Sequence, residues 1–325
     1  MSSYRIVVLA GGLSPERDVS LQSGRRVADA LAATGHDVSL RDVDGGLLDW
    51  LDSARPDCAI ALLHGDAGEG GALQEVLELA DVPFVGSRAR AARMAFNKPI
   101  AKQVVAQAGV RTPDAVTLPA DTFRELGATR VMEAVVRRLG LPLFVKPAVG
   151  GSALGCSAVH TVDALPGAMV GCFAYGPIAL IERLVLGVEV AVPVVEGEGG
   201  PTALPAVEIR PDGGVYDYTA RYTPGATEFV VPATINPDVA AECARVALTA
   251  HECLGLRDLS RSDLIVDADD AVWFLEANVS PGMTETSLVP LSAEVDGRSL
   301  GAMFGALVDR AVHRAASSRA GTGSD

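Results

Sequence analysis

Two apolar runs, "RSDLIVD" (Arg261 to Asp267) and "AVWFLEANVSPG" (Ala271 to Gly282), are separated by only three residues. Apolar runs flanking so short a polar break predict an antiparallel hairpin. Glu276 and Asn278 lie two apart on the second run, so their side chains share one side of the strand. Asp263 lies on the first run. The hairpin therefore gathers three oxygen donors in one place, which is what a hard divalent cation needs. Immediately after them the chain turns on Ser280-Pro281-Gly282.

With 325 residues the chain exceeds what one compact core usually takes, so two or three domains are expected. "YRIVVLAGG", "DVSLRDV", "CAIALLHG" and "VPFVG" read as short strands, with helix-like runs such as "GALQEVLELA" between them. That alternation up to about residue 93 predicts an open α/β unit with a parallel sheet, whose strand ends are where ligands bind. Beyond it come a helix at "NKPIAKQVVAQAGV" and a strand, Gly-rich turn and strand at "PLFVKPAVGGSALGCSAVHTV". Short strands follow from Ile178, then a polar loop, "RPDGGVYDYTARYTPGATEFVVPA", and the helix "PDVAAECARVALTAHECLG". The closing "AASSRAGTGSD" reads as a frayed tail.

The longest apolar run, Leu165 to Ile181, contains two prolines and three glycines and is bounded by Asp163 and Glu182, which argues against a membrane span. The opening residues carry no basic leader, and the five cysteines show no CxxC spacing; both features point to the cytoplasm. A net charge of −14 has the wrong sign for a general nucleic-acid or membrane-surface binder, so an anionic ligand must be held by local cations. Only three lysines, Lys98, Lys102 and Lys146, stand against 24 arginines. Either chance left them, or each is kept as a compact point charge of the kind that binds phosphate.

"KPAVGGSALG" is no P-loop, since the Gly-Lys-Ser/Thr ending is absent, and "AGGLSPE" lacks the dinucleotide fingerprint. The first is a hairpin whose glycines let backbone N–H groups close over an anion, with Lys146 supplying charge, or else an ordinary hairpin loop. In "IERLVLGVEV", Glu182 and Glu189 flank a short linker. They are placed to take ribose hydroxyls beside linker amides that read an adenine edge, or they are surface acids on edge strands.

In order and spacing, "GGLSPERDVS", "HGDAGEGG", "NKPIAK", "FVKPAVGGSALG", "IERLVLGVE", "ARY", "RSD" and "LEANVSPGMTETSLVP" closely resemble the D-alanine–D-alanine ligases of the ATP-grasp superfamily. The resemblance runs from residue 4 to about 312. It implies an α/β and α+β ATP-grasp fold: a Rossmann-like N-terminal substrate domain (1–93), a central subdomain (94–183) and a C-terminal subdomain (184–314), followed by a flexible tail (315–325). It also implies that ATP, with Mg²⁺ (Mn²⁺ as a substitute), joins two D-alanines through an acyl phosphate for peptidoglycan synthesis. The partners implied are small amino-acid substrates and ATP, in a cytoplasmic enzyme of a commonly dimeric family, with no nucleic acid and no membrane.

By the same resemblance Asp263, Glu276 and Asn278 are the metal ligands, and Lys98, Lys146 and Arg221 meet the phosphates. Glu182, Arg183, Leu184, Val185 and Glu189 line the adenosine site. Glu16 holds the first substrate's ammonium group, with Ser152 and Tyr222 as its hydrogen-bonding partners, while Arg261 and the Gly282 N–H form the oxyanion hole. Ser287 and the Leu288 backbone anchor the second substrate's carboxylate, and His64 lines the same cavity or is a structural histidine at a strand end.

The family pattern is departed from at Arg221, where lysine is usual, at Ala153 (serine), and at Gly150 and Gly70 (acids). An arginine fork does not replace an ammonium point for point. These departures keep open an ATP-grasp amino-acid ligase with other substrates in natural-product biosynthesis. A non-catalytic nucleotide-binding regulator is the other alternative, opposed by the intact set of acids and Arg261.

Overall fold

The computed structural model describes residues 3–212 and 225–322. Three sheets make up its frame. The first takes β1 (Arg5–Ala10), β2 (Asp37–Asp42), β3 (Cys58–Ala61) and β4 (Phe84–Val85), in the order β2-β1-β3-β4. All its pairs are parallel, as the strand–helix alternation predicts. β1 is buried from Ile6 to Ala10, which suits a strand covered on both faces.

The second sheet holds β5 (Ala115–Pro119), β6 (Leu143–Pro147), β7 (Ser157–Val159) and β8 (Ile178–Arg183), ordered β5-β8-β6-β7 and antiparallel throughout. The Gly-rich turn connects β6 to β7. The long apolar run resolves into a helix, Leu165–Phe173, and the strand β8. No helix among the described residues is long and apolar enough to cross a membrane.

The third sheet contains β9 (Val188–Gly197), β10 (Gly200–Ala203), β11 (Val207–Pro211), β12 (Thr227–Val230), β13 (Leu259–Val266) and β14 (Val272–Asn278). Its path is β12-β11-β9-β13-β14, with β10 on β9. β13 and β14 form the antiparallel hairpin expected from the sequence. β12 lies inside the stretch read as a polar loop; its Thr-Glu-Phe-Val alternation pairs antiparallel with β11.

One apolar cluster runs continuously from the first sheet into the third body. Ile6, Val8, Val27 and Ile60 pack with Val195, Leu259, Met283, Val289 and Phe304. The second sheet keeps a core of its own, with Val145, Val159, Leu165, Cys172 and Ile181. The closing helix, Leu300–Thr322, runs through most of the stretch expected to be a flexible tail (315–325), up to the last described residue.

Candidate active site

The hairpin's register sets the centre of the site. Asp263 on β13 stands directly opposite Glu276 on β14, and Arg261 opposite Asn278. The register slips by one residue just after Asp263, which ends the regular pairing of this donor cluster. Arg261 clamps Asp263 from two residues away, Nε donating to Oδ1 at 2.6 Å and an Nη to Oδ2 at 2.7 Å. Both side chains are nearly buried. Glu276 receives Lys98 at 3.4 Å, and Asn278 Oδ1 accepts from the Ser280 N–H at 3.0 Å.

These donors fit a magnesium ion. Carboxylate and amide oxygens each carry more than one acceptor position, so their present hydrogen bonds do not exhaust them. Two carboxylates and an amide oxygen on adjacent strands are hard ligands of the type magnesium takes alongside phosphate oxygens.

Two cavities open on this centre. The first, of about 530 Å³, is lined by Glu16, His64, Glu69, Arg261, Asn278, Gly282, Ser287 and Leu288 among others. The second, of about 490 Å³, is lined by Lys146, Glu182, Arg183, Leu184, Val185, Glu189 and Asp263. Lys98, Gly150, Gly151 and Glu276 line both, so the cavities meet where the glycine loop faces the hairpin.

Glu16 stands just before the helix Arg17–Ala32, beyond the end of β1. Ser152 of the glycine loop donates to Glu16 Oε1, bringing the second sheet's turn against the first sheet's end. Ser152 and its neighbour Ala153 both have positive φ (52° and 56°), a conformation non-glycine residues seldom take. His64 is 6 % exposed and its Nε2 is buried with no hydrogen-bond partner among the described residues. Burial pushes its pKa below the usual value, although Glu16 pulls the other way. A neutral ring nitrogen facing a polar cavity is one more group available to a ligand.

Ser287 precedes the helix Leu288–Val295 and supplies no side-chain cap to it. Its hydroxyl instead takes the Thr284 N–H at 2.9 Å. The first N–H groups of that helix thus remain for an anion at its N-terminus. A Cβ on Gly282 would stand 2.8 Å from Ser287 Oγ, so a bare glycine keeps this corner open.

Glu182 is buried, with Oε1 2.7 Å from Lys146 and Oε2 2.8 Å from Lys102. Its carboxylate is paired with two ammoniums on the wall of the second cavity, so it is not a surface acid on an edge strand. Lys102, marked in the sequence only by the rarity of lysine, lies behind this carboxylate. Glu69 was missed: it is buried beside the first cavity and accepts the Gly65 N–H at 2.9 Å. Burial first, then Glu16, pushes its pKa up to about 8. Nothing in "HGDAGEGG" singled it out. Arg221 and Tyr222 lie outside the described residues.

Gly70, where the family often carries an acid, is explained locally. A Cβ there would lie 2.4 Å from the Asp66 carbonyl oxygen.

Comparison with known proteins places this arrangement. A family model described as the D-Ala–D-Ala ligase C-terminus matches residues 104–311. A D-alanine–D-alanine ligase of Nitratidesulfovibrio vulgaris strain Hildenborough is 40 % identical over 307 residues, 94 % of this chain and 97 % of the relative. One from Pelotomaculum thermopropionicum is 35 % identical over 96 % of this chain and 97 % of its own length. Among solved structures, the D-alanine–D-alanine ligase of Bacillus anthracis superposes with a TM-score of 0.83 at 26 % identity, covering 97 % of this chain and all of that one. The VanG D-Ala:D-Ser ligase of Enterococcus faecalis gives 0.80 at 26 % identity, covering 95 % and 100 %. With a likeness that spans both cavities and nearly the whole length of its relatives, this chain belongs to the D-alanine–D-alanine ligase family.

Proposed function

We propose that this protein is an ATP-dependent ligase that joins two D-alanines, releasing ADP and phosphate, and so supplies a dipeptide for peptidoglycan synthesis. The observation that carries the reading is the meeting of the two cavities at Lys98, Gly150, Gly151 and Glu276. A nucleotide in one cavity and amino acids in the other bring a terminal phosphoryl group against a carboxylate at that junction.

The nucleotide cavity takes adenosine between Arg183, Leu184, Val185 and Glu189, with its phosphates directed to Lys146 and Lys98. Glu16, with Ser152 and His64 beside it, receives the first substrate's ammonium group. That substrate's carboxylate attacks the terminal phosphorus, ADP leaves, and an acyl phosphate forms. Ser287 and the Leu288 N–H hold the second substrate's carboxylate, its free amine attacks the acyl carbon, and phosphate departs. Arg261 and the Gly282 N–H stabilise the oxyanion of that step, the kind of fixed donor set worth several kcal/mol in a dry site (about 3 for one donor). Asp263, Glu276 and Asn278 would hold a magnesium ion, which would supply charge neutralisation on the phosphates; the protein's part in phosphoryl transfer is positioning. Tyr222 and Arg221 belong to this reading by resemblance: a hydrogen-bonding partner of the Glu16 carboxylate and a cation on the terminal phosphate. A cytoplasmic homodimer accompanies it on the same ground.

The test is mass spectrometry after incubation with ATP, Mg²⁺ and D-alanine. D-alanyl-D-alanine with matching phosphate release is expected. Turnover that requires different amino acids, or ATP binding with no product from any amino acid, overturns the reading.

A further inference from the structure

Lys102 lines neither cavity. It stands behind Glu182, and it resides one turn after Lys98 on the helix Lys98–Gln107. Its Nζ is 2.8 Å from Glu182 Oε2 and donates to the Phe274 carbonyl at 3.4 Å. Lys146 Nζ holds the other oxygen, Glu182 Oε1, at 2.7 Å. Lys102, Lys146 and Glu182 side chains are 6 %, 6 % and 3 % exposed. Two ammoniums thus share one carboxylate inside the protein, on the wall of the nucleotide cavity.

We infer that Lys102 is a positioning residue for the nucleotide: it occupies the far oxygen of Glu182, so that the near oxygen fixes Lys146 without neutralising the wall. The inference rests on the nucleotide reading of this cavity and deepens it. A Lys146–Glu182 pair alone has no net charge and offers a polyphosphate little. With Lys102 in place the trio carries one positive charge in excess, in surroundings of low dielectric where a charge acts over several ångströms. A buried excess charge is costly to keep in an empty protein, which makes it a site for an anionic ligand to satisfy.

The two lysines divide this cost unequally. Burial pushes Lys102 down to about 8, Glu182 opposing the fall and Lys146 adding to it. Burial acts on Lys146 too, but Glu182 and then Glu276 outweigh it and hold that ammonium above its usual value. Glu182, against its own burial, is held below the usual carboxylate range by Lys102 and Lys146. The charged groups facing Lys102 are therefore Glu182 on β8, Lys146 on β6 and Glu276 on β14, with Lys98 one turn earlier on its own helix. The helices Ala89–Phe96 and Pro237–Cys253, packed in the same apolar cluster, contribute buried alanines and valines and the Cys243 thiol, pushed up to about 12 by burial and so neutral. As pH rises, Lys102 is the first of the trio to lose its proton, and the trio then becomes neutral. A bound polyphosphate favours the charged form and draws the proton back.

The experiment is calorimetric binding of ADP and of adenosine to the full chain with Mg²⁺. Lys102→Met is expected to weaken ADP about tenfold while changing adenosine less than about twofold, because only the phosphates sense the lost charge. For the wild-type protein at about pH 8.5, ADP binding in two buffers of different ionisation enthalpy is expected to show uptake of part of a proton. Lys102→Arg, whose charge persists at every working pH, is expected to retain ADP affinity but to lose the uptake. A purely structural lysine would lower the melting temperature and leave the ADP-to-adenosine affinity ratio unchanged; that result overturns the inference. So does an absence of proton uptake by the wild type, a reading that needs no variant to fold. Neither measurement involves dipeptide formation, so ADP behaviour as expected with no ligated product would sink the substrate reading alone. Failure to bind ADP at all would remove both.

Discussion

Replacing Glu69 by Gln tests the electrostatics of the first cavity through stability. The wild-type carboxyl ionises near 4.5 when exposed and at about 8 in the folded protein, burial and Glu16 both favouring its neutral form. Between those values the folded state binds a proton that the unfolded state has lost, so stability falls as pH rises. At about 1.4 kcal/mol for each pH decade, the whole window amounts to about 5 kcal/mol. The side chain is 6 % exposed, so solvent does little to screen it. Glutamine keeps the shape, keeps an oxygen for the Gly65 N–H and never ionises. Urea unfolding of both proteins at several pH values from about 4.5 to 8 should show the variant gaining on the wild type steadily. By the upper end the difference should approach the full amount. Parallel stability curves across this window would refute the assignment of Glu69 as a buried neutral acid.

Glu276→Gln is expected to lower ligation more than about a hundredfold by weakening the metal site; near-normal turnover in a phosphate-release assay would refute the role of Glu276 as a ligand. Gly282→Ala puts a methyl 2.8 Å from Ser287 Oγ, and kcat is expected to fall about tenfold or more, with steady-state kinetics as the check. In Gly70→Asp the new Cβ meets the Asp66 carbonyl at 2.4 Å, so a loss of about 2 kcal/mol in urea unfolding is expected.

The hairpin was legible because its two runs are local and a three-residue break leaves the chain no other easy pairing. Asp263 opposite Glu276 follows from that locality. The position of β9 does not. It pairs with β13 some seventy residues later and with β11, and apolar runs such as "VEVAVPVV" give no hint of which neighbours they take. The donor set was legible as residue types, but Arg261 gripping Asp263 was not, because a same-strand spacing of two says only that both side chains face one way. Lys102 and Glu69 escaped for a related reason. Burial gives each its character, and burial comes from elements distant in the chain. The strand β12 was hidden in a polar stretch because four residues of alternation are too few to stand out.

The core that fuses the first sheet to the third body has a mechanical counterpart at the chemistry. Arg26 on the first domain's helix donates to the carbonyls of Met283, at 3.1 Å, and Thr284, at 2.5 Å, while the Met283 N–H is held by Ser23 at 2.9 Å. The segment beside Gly282 is thereby bolted to the domain that carries Glu16. Those two portions share one core, whereas the body built on β5 to β8 keeps a core of its own. A substitution that removes Arg26 or Ser23 should therefore loosen Gly282 against Glu16 while leaving the separate core around Val145 and Ile181 intact.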